Sequence, residues 1–139
     1  MDREDIKKFI QHREPMLLVD EVVMDGEYAE SKYTVTGNEF FLNGHFPGNP
    51  IVPGVIICEI MAQGAALLMR DKIEGKLPLY VGLDKVRFKK TVRPGDTICV
   101  RSRITASKGP LFTVEAKARV NGEICTSGVL SFLITENNQ

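Results

Sequence analysis

The sequence predicts one α+β domain in which a curved antiparallel sheet wraps a long central helix, and three features carry that prediction. Residues 55–69 are apolar at twelve of fifteen positions, interrupted by Glu59, Gln63 and Gly64, so a helix there is buried on nearly all sides. Beyond that stretch the apolar period changes to two, most clearly where Phe112, Val114, Ala116, Ala118 and Val120 alternate with Thr113, Glu115, Lys117 and Arg119. Asn121-Gly122 then supplies two residues that tolerate positive φ, which joins this strand to a partner over Glu123 to Ile134. Successive antiparallel strands cover a single apolar helix only by curling round it.

Each element follows from local composition. Asp2 to Ile10 places Ile6, Phe9 and Ile10 on one side of a short helix that Pro15 ends. Residues 16–24 are rich in aliphatic side chains and stop at Asp25-Gly26, a turn pair, before the alternating segment from Tyr28 to Thr36, so a β-hairpin is expected. Residues 37–53 hold three prolines and three glycines, which make a rigid loop. Pro53-Gly54 opens the buried helix. Pro94-Gly95-Asp96 is expected to join Leu79 to Val92 with Thr97 to Ala106 as a second hairpin, giving a long meander. Neither a repeat nor a Gly/Ser-rich linker divides residues 1–139, and only the tail over 135–139 is expected to be disordered.

Composition limits the partners. The chain has 139 residues with 18 basic and 18 acidic side chains, and this zero net charge removes a bulk attraction for nucleic acid or an anionic membrane. An acidic partner must meet a local basic patch. A chain of this size hides only about two-thirds of its unfolded surface, so a substrate chamber competes with the core for apolar residues, and oligomerisation relieves that conflict. The three cysteines, Cys58, Cys99 and Cys125, lie far apart in apolar or alternating runs and read as buried, reduced thiols of a cytoplasmic protein. The first ten residues mix acids and bases where an export signal would be apolar, and the longest apolar stretch is too short to span a membrane. Two histidines without paired ligand spacing leave no metal or other cofactor expected.

The costliest placement is Glu59, in the middle of the most apolar helix. Burial disfavours its charged form, so a raised pKa and a general-acid role are expected, against the alternative that it faces a wet groove. His45 sits beside Gly44 in a proline-bounded loop, where Pro47 restricts Phe46, and a fixed imidazole suits a general base; a packing or capping role is the alternative. His12 reads as a capping or solvent-exposed residue. The amides of Gly54 and Val55 open the buried helix, where a developing oxyanion would be stabilised, although a Pro-Gly turn also starts ordinary helices. Gln63, one turn beyond Glu59, is placed to orient that carboxyl.

Residues 44–63, GHFPGNPIVPGVIICEIMAQ, resemble the signature of the β-hydroxyacyl-[acyl-carrier-protein] dehydratases of bacterial fatty acid synthesis, which have the hot-dog fold. The resemblance extends to HREPMLLVDEV at 12–22, to LDKVRFKKTVRPGD at 83–96 and to the order of the last two strands. It implies that His45 and Glu59 are the catalytic pair. It also implies that two subunits lie side by side with His45 of one facing Glu59 of the other, in dimers that often gather as trimers of dimers. Glu59 matches the broad-specificity branch, whereas the dehydratase-isomerases have aspartate there. Asn49, Ile60 and Gly64 depart from the commonest residues at their positions and bear on the shape of the chamber.

The expected reaction removes water from a (3R)-3-hydroxyacyl thioester to give the trans-2-enoyl thioester, with His45 as base, Glu59 as acid, Gly54 as oxyanion donor and Gln63 as orienting group. The implied partner is acyl carrier protein, which is acidic, and the basic stretch Lys85, Arg87, Lys89, Lys90 and Arg93, beside Arg101 and Arg103, is its expected dock. A solvated edge strand is the alternative for that patch. Three rival functions are an isomerising dehydratase, a hot-dog thioesterase and a non-catalytic acyl-binding module.

Overall fold

The computed structural model describes residues 1–45 and 48–136. Strands Glu21–Asp25 (β1), Tyr28–Thr34 (β2), Lys76–Phe88 (β3), Thr97–Lys108 (β4), Leu111–Val120 (β5) and Glu123–Glu136 (β6) form one antiparallel sheet, in the order β1-β2-β4-β5-β6-β3. Arg3–Ile6 (α1) precedes the sheet. The central helix runs over Gly54–Gly64 (α2), tightens to a 3-10 stretch at Ala66–Met69 and resumes at Arg70–Ile73 (α3).

The concave face of the sheet holds the helix because strand alternation delivers small side chains where the helix comes closest. Ala29 on β2, Ala116 and Ala118 on β5 and Ser102 on β4 are fully buried. Around them Ile98, Val100, Val114 and Leu130 pack with Ile57, Ile60, Met61 and Met69 of the helical segment in one apolar core. A Cβ at Gly64 would overlap the Ser31 hydroxyl, so the absence of a side chain there lets the helix seat against β2. The Asn121-Gly122 turn has φ of 52° and 80° and pairs Val120 with Glu123, as its sequence predicts.

Several expectations need correction. β3 does not form a hairpin with β4; it crosses to the far edge and pairs with β6, from Lys76↔Glu136 to Phe88↔Thr126. Pro94-Gly95-Asp96 still makes a tight turn, but its contacts are to the end of β2, with Gly95 N donating to Val35 O and Val35 N to Asp96 O. Turn chemistry fixes local backbone shape and leaves strand partnership to the core. α1 is only four residues long, because Arg13 donates to the carbonyls of Lys7 and Ile10 and so takes the place of further helical turns, while Phe9 and Ile10 still reach the core. Thr135 and Glu136 belong to β6, and the rest of the expected disordered tail lies outside the described residues. Cys99 is exposed, since it alternates with the buried Ile98 and Val100 on β4. Among the described residues no helix is long and apolar enough to cross a membrane.

Candidate active site

His45 lies at the end of a loop that is tied down at both ends. At the start, Glu39 accepts hydrogen bonds from the amides of Thr36 and Gly37 and from the Tyr33 hydroxyl. At the far end, Val52 N donates to Val92 O. The half-buried imidazole places Nδ1 2.8 Å from Ile51 O. A carbonyl can only accept, so Nδ1 carries the proton and Nε2 is the basic nitrogen of the neutral ring. Phe46 and Pro47, expected to restrain this histidine, lie outside the described residues.

Glu59 occupies the middle of α2, half-buried and flanked by donors. Gln63 Nε2 donates to Glu59 Oε2 at 2.8 Å and to Met16 O at 2.8 Å, while Gln63 Oε1 accepts from Leu18 N at 2.7 Å. These contacts use both protons and the oxygen of an amide that is 4% exposed, which fixes its orientation. His12 is not the peripheral residue expected from sequence: its Nε2 lies 3.2 Å from the same Glu59 Oε2. The local sequence shows it only as a polar residue after a short helix, because the contact spans a separation that no helical or strand period reveals. Burial by itself pushes the Glu59 carboxyl upward, but hydrogen bonds from His12 and Gln63, with the proximity of His12, outweigh it and hold the carboxyl below its ordinary value. The expectation of a carboxyl raised by burial is therefore overturned for the protomer.

His45 and Glu59 line two different clefts. Glu59 shares a cleft of about 80 Å³ with Ile10, His12, Gln63, Pro78, Tyr80 and Phe132, among others. His45 shares one of about 410 Å³ with Ile51, Gly54, Val55, Phe88, Lys90 and Thr91, among others. Gly54 begins α2 within the His45 cleft, and the first turn of the helix donates to Pro53 O only from Ile56 and Ile57, so the Gly54 and Val55 amides precede those bonds. A Cβ on Gly54 would stand 2.7 Å from the ring of the exposed Phe88, which would have to swing aside to admit it.

The basic residues proposed for docking are all exposed, at the end of β3 and in the segment that follows. Lys90 borders the His45 cleft and pairs with Glu123, and Arg93 reaches Asn49 Oδ1. Arg101 and Arg103 lie on the convex face, engaged with Asp25, Glu30, Glu27 and Glu115. They do not join that group.

A profile of the FabA-like domain matches residues 10–128. The chain belongs to the FabA-like family. The 3-hydroxyacyl-[acyl-carrier-protein] dehydratase FabZ of Caldicellulosiruptor saccharolyticus is 44% identical over 137 residues, covering 96% of this chain and 98% of its own. The protein of the same name from Streptococcus sanguinis is 47% identical over 138 residues, with 96% and 98% covered. Among solved structures, the dehydratase heterocomplex ApeI:P from Xenorhabdus doucetiae matches with a TM-score of 0.79 at 19% identity, over 96% of this chain and 91% of that one. At that identity the likeness is one of fold, and the helix clasped by a curved sheet is the hot-dog fold of the FabA-like proteins.

Proposed function

We propose that this FabA-like chain is completed as an enzyme by pairing of two protomers, so that the partner subunit's His45 acts with Glu59 on one 3-hydroxyacyl thioester. The chain is a hydro-lyase, a 3-hydroxyacyl-[acyl-carrier-protein] dehydratase of fatty acid biosynthesis, as its relatives at 44–47% identity are named. Acyl carrier protein is accordingly its partner.

One observation carries the pairing. Both clefts border the same edge strand: Pro78 and Tyr80 of β3 line that of Glu59, and Phe88 of β3 lines that of His45. β3 has one edge unpaired in the sheet order and exposes Leu79, Val81, Leu83 and Phe88. Tyr80 and Phe88 lie roughly 25 Å apart along an extended strand. A two-fold axis near Leu83 that pairs two β3 strands antiparallel sets the Phe88 end of one against the Pro78 end of the other, and each His45 cleft meets a Glu59 cleft. The 80 Å³ beside Glu59 is far below the roughly 300 Å³ at which small-molecule sites begin, which fits half of a shared chamber. Trimers of such dimers are compatible with this pairing.

In the reaction, His45 Nε2 takes a proton from the carbon next to the thioester carbonyl, the carbon–oxygen bond to the 3-hydroxyl breaks, and Glu59 gives that oxygen a proton so that it leaves as water. The Gly54 amide donates to the thioester oxygen as charge develops there. The ionised Glu59 of the open protomer acquires its proton when substrate and partner displace water, because burial is already the largest single influence on it and acts in that direction. The (3R) configuration, the trans-2 product, the cytoplasmic setting and docking through Lys85, Arg87, Lys89, Lys90 and Arg93 belong to this reading, with residues 1–139 acting as one domain.

Incubation with 3-hydroxybutyryl carrier protein followed by mass analysis tests it. Loss of one water with the thioester intact is expected, and the double-bond position separates dehydration from added isomerisation. Release of free thiol, or near-normal turnover by a His45→Ala protein, overturns the assignment.

A further inference from the structure

The N-terminal segment adds a side chain to the carboxyl that the proposed chemistry uses. His12 and Gln63 come from different elements, yet both address one oxygen of Glu59, Oε2, at 3.2 and 2.8 Å. Two N–H donors on one oxygen suit a carboxylate, and in a carboxylic acid they favour that oxygen as the carbonyl, which is the stronger acceptor. When Glu59 is protonated, the two donors therefore favour the proton on Oε1.

The donor on His12 is equally constrained. Its Nδ1 is buried without a hydrogen-bond partner, so a proton there would be stranded, and the ring's donor is Nε2. The backbone that carries the ring is clamped: Arg13 donates to the carbonyls of Lys7, Ile10 and His12 at 3.0, 2.9 and 2.7 Å. Arg3 donates to Leu17 O at 3.0 Å and pairs with Glu14 and Asp20, and Gln63 itself holds Met16 O and Leu18 N. A segment that the proposed reaction does not otherwise use is thus bound to α2 through Gln63, which also holds the proposed catalytic carboxyl.

We propose that His12 is a positioning residue for Glu59, acting with Gln63 to fix Oε2 as the accepting oxygen and so to select Oε1 as the atom that carries and delivers the proton. This rests on the reading of Glu59 as the acid. The groups beside Glu59 are His12 from the N-terminal segment, Gln63 from its own helix and Tyr80 from β3, whose hydroxyl donates to Cys58 O at 3.3 Å, and in the proposed pair the partner's His45 joins them. Of these, His12 and Gln63 are the ones bonded to the carboxyl within the protomer.

The test compares the wild-type protein with His12→Leu, which removes the donor at similar volume, and His12→Gln, whose amide nitrogen reproduces Nε2. Carbon-13 NMR of labelled glutamate follows Glu59, assigned with Glu59→Gln, and turnover of 3-hydroxybutyryl carrier protein is measured across pH. In His12→Leu the Glu59 titration is expected to move upward, because a donor to the ionised form is lost. kcat is expected to fall by up to about 100-fold from misplacement, with KM changed little. His12→Gln is expected to restore both towards wild type. An unmoved Glu59 titration in His12→Leu overturns the inference whether or not the protein is active. So does a loss of kcat that His12→Gln fails to rescue and that follows a lowered melting temperature. A shifted titration in a protein whose wild type does not dehydrate supports the contact and overturns the dehydratase chemistry instead.

Discussion

Mixing two inactive variants measures where the active site lies. Glu59→Gln and His45→Ala each remove one half of the proposed pair, and each is expected to lose about 10²- to 10⁴-fold in turnover. If each site takes His45 from one subunit and Glu59 from the other, a dimer of one Glu59→Gln and one His45→Ala chain contains two unlike sites. One combines both intact residues, and the other combines both substitutions. Random pairing at equal amounts makes half of the dimers mixed, each with one working site of two, so activity per chain recovers to about one-quarter of wild type under two-fold pairing. The value does not change if dimers gather further, because each site is counted within a dimer. Co-expression with distinct tags, purification through both and turnover on 3-hydroxybutyryl carrier protein give the measurement; the doubly tagged fraction is expected at about one-half of wild type for separate dimers and at about one-quarter for trimers of dimers. Activity that stays at the level of the separate parents refutes the shared site and the β3 pairing from which it is built.

The other expectations concern packing and docking. Gln63→Leu strands the buried Leu18 N and opens the part-buried Met16 O to water, and at about 1–3 kcal/mol for one unsatisfied buried group it should lower unfolding free energy by about that amount in denaturant titration. Gly64→Ala should destabilise by about 1–3 kcal/mol through overlap with Ser31, and adding Ser31→Ala should recover part of the loss; equal stability of the single variant and wild type counters the close-approach argument. Charge reversal at Lys89 and Lys90 should raise KM for carrier-protein substrates while leaving pantetheine analogues unchanged, and equal effects on both would place docking elsewhere.

Much of this was legible in the residues themselves. The alternation of Phe112 to Ala118 marks its own inward face, and Asn121-Gly122 marks its own turn, because both signals are local and their physics acts over two to four residues. The position of β3 was not, since Pro94-Gly95-Asp96 defines a bend equally well whether the flanking strands pair or part. Glu59 was recognisable as anomalous from its apolar surroundings, but its charge state depends on His12, whose approach is set by the Arg13 and Gln63 contacts of a folded segment. Cys99 was misjudged because one hydrophobic-looking residue among Ile98 and Val100 does not reveal which face of β4 it occupies.

The small residues beneath the central helix have a consequence for how substrate range can change. Ala29, Ala116, Ala118 and the Gly64–Ser31 approach leave the helix no slack towards the sheet, so a larger residue there displaces the whole element that bears Glu59. The opposite wall has no such restriction: Ile10, Met69, Pro78 and Phe132 border the cleft from separate segments. Under the proposed reaction, the walls free to change for longer or shorter acyl chains are the N-terminal segment, the end of the helix and β3, while the alanine-lined floor stays fixed as the price of keeping the carboxyl in place.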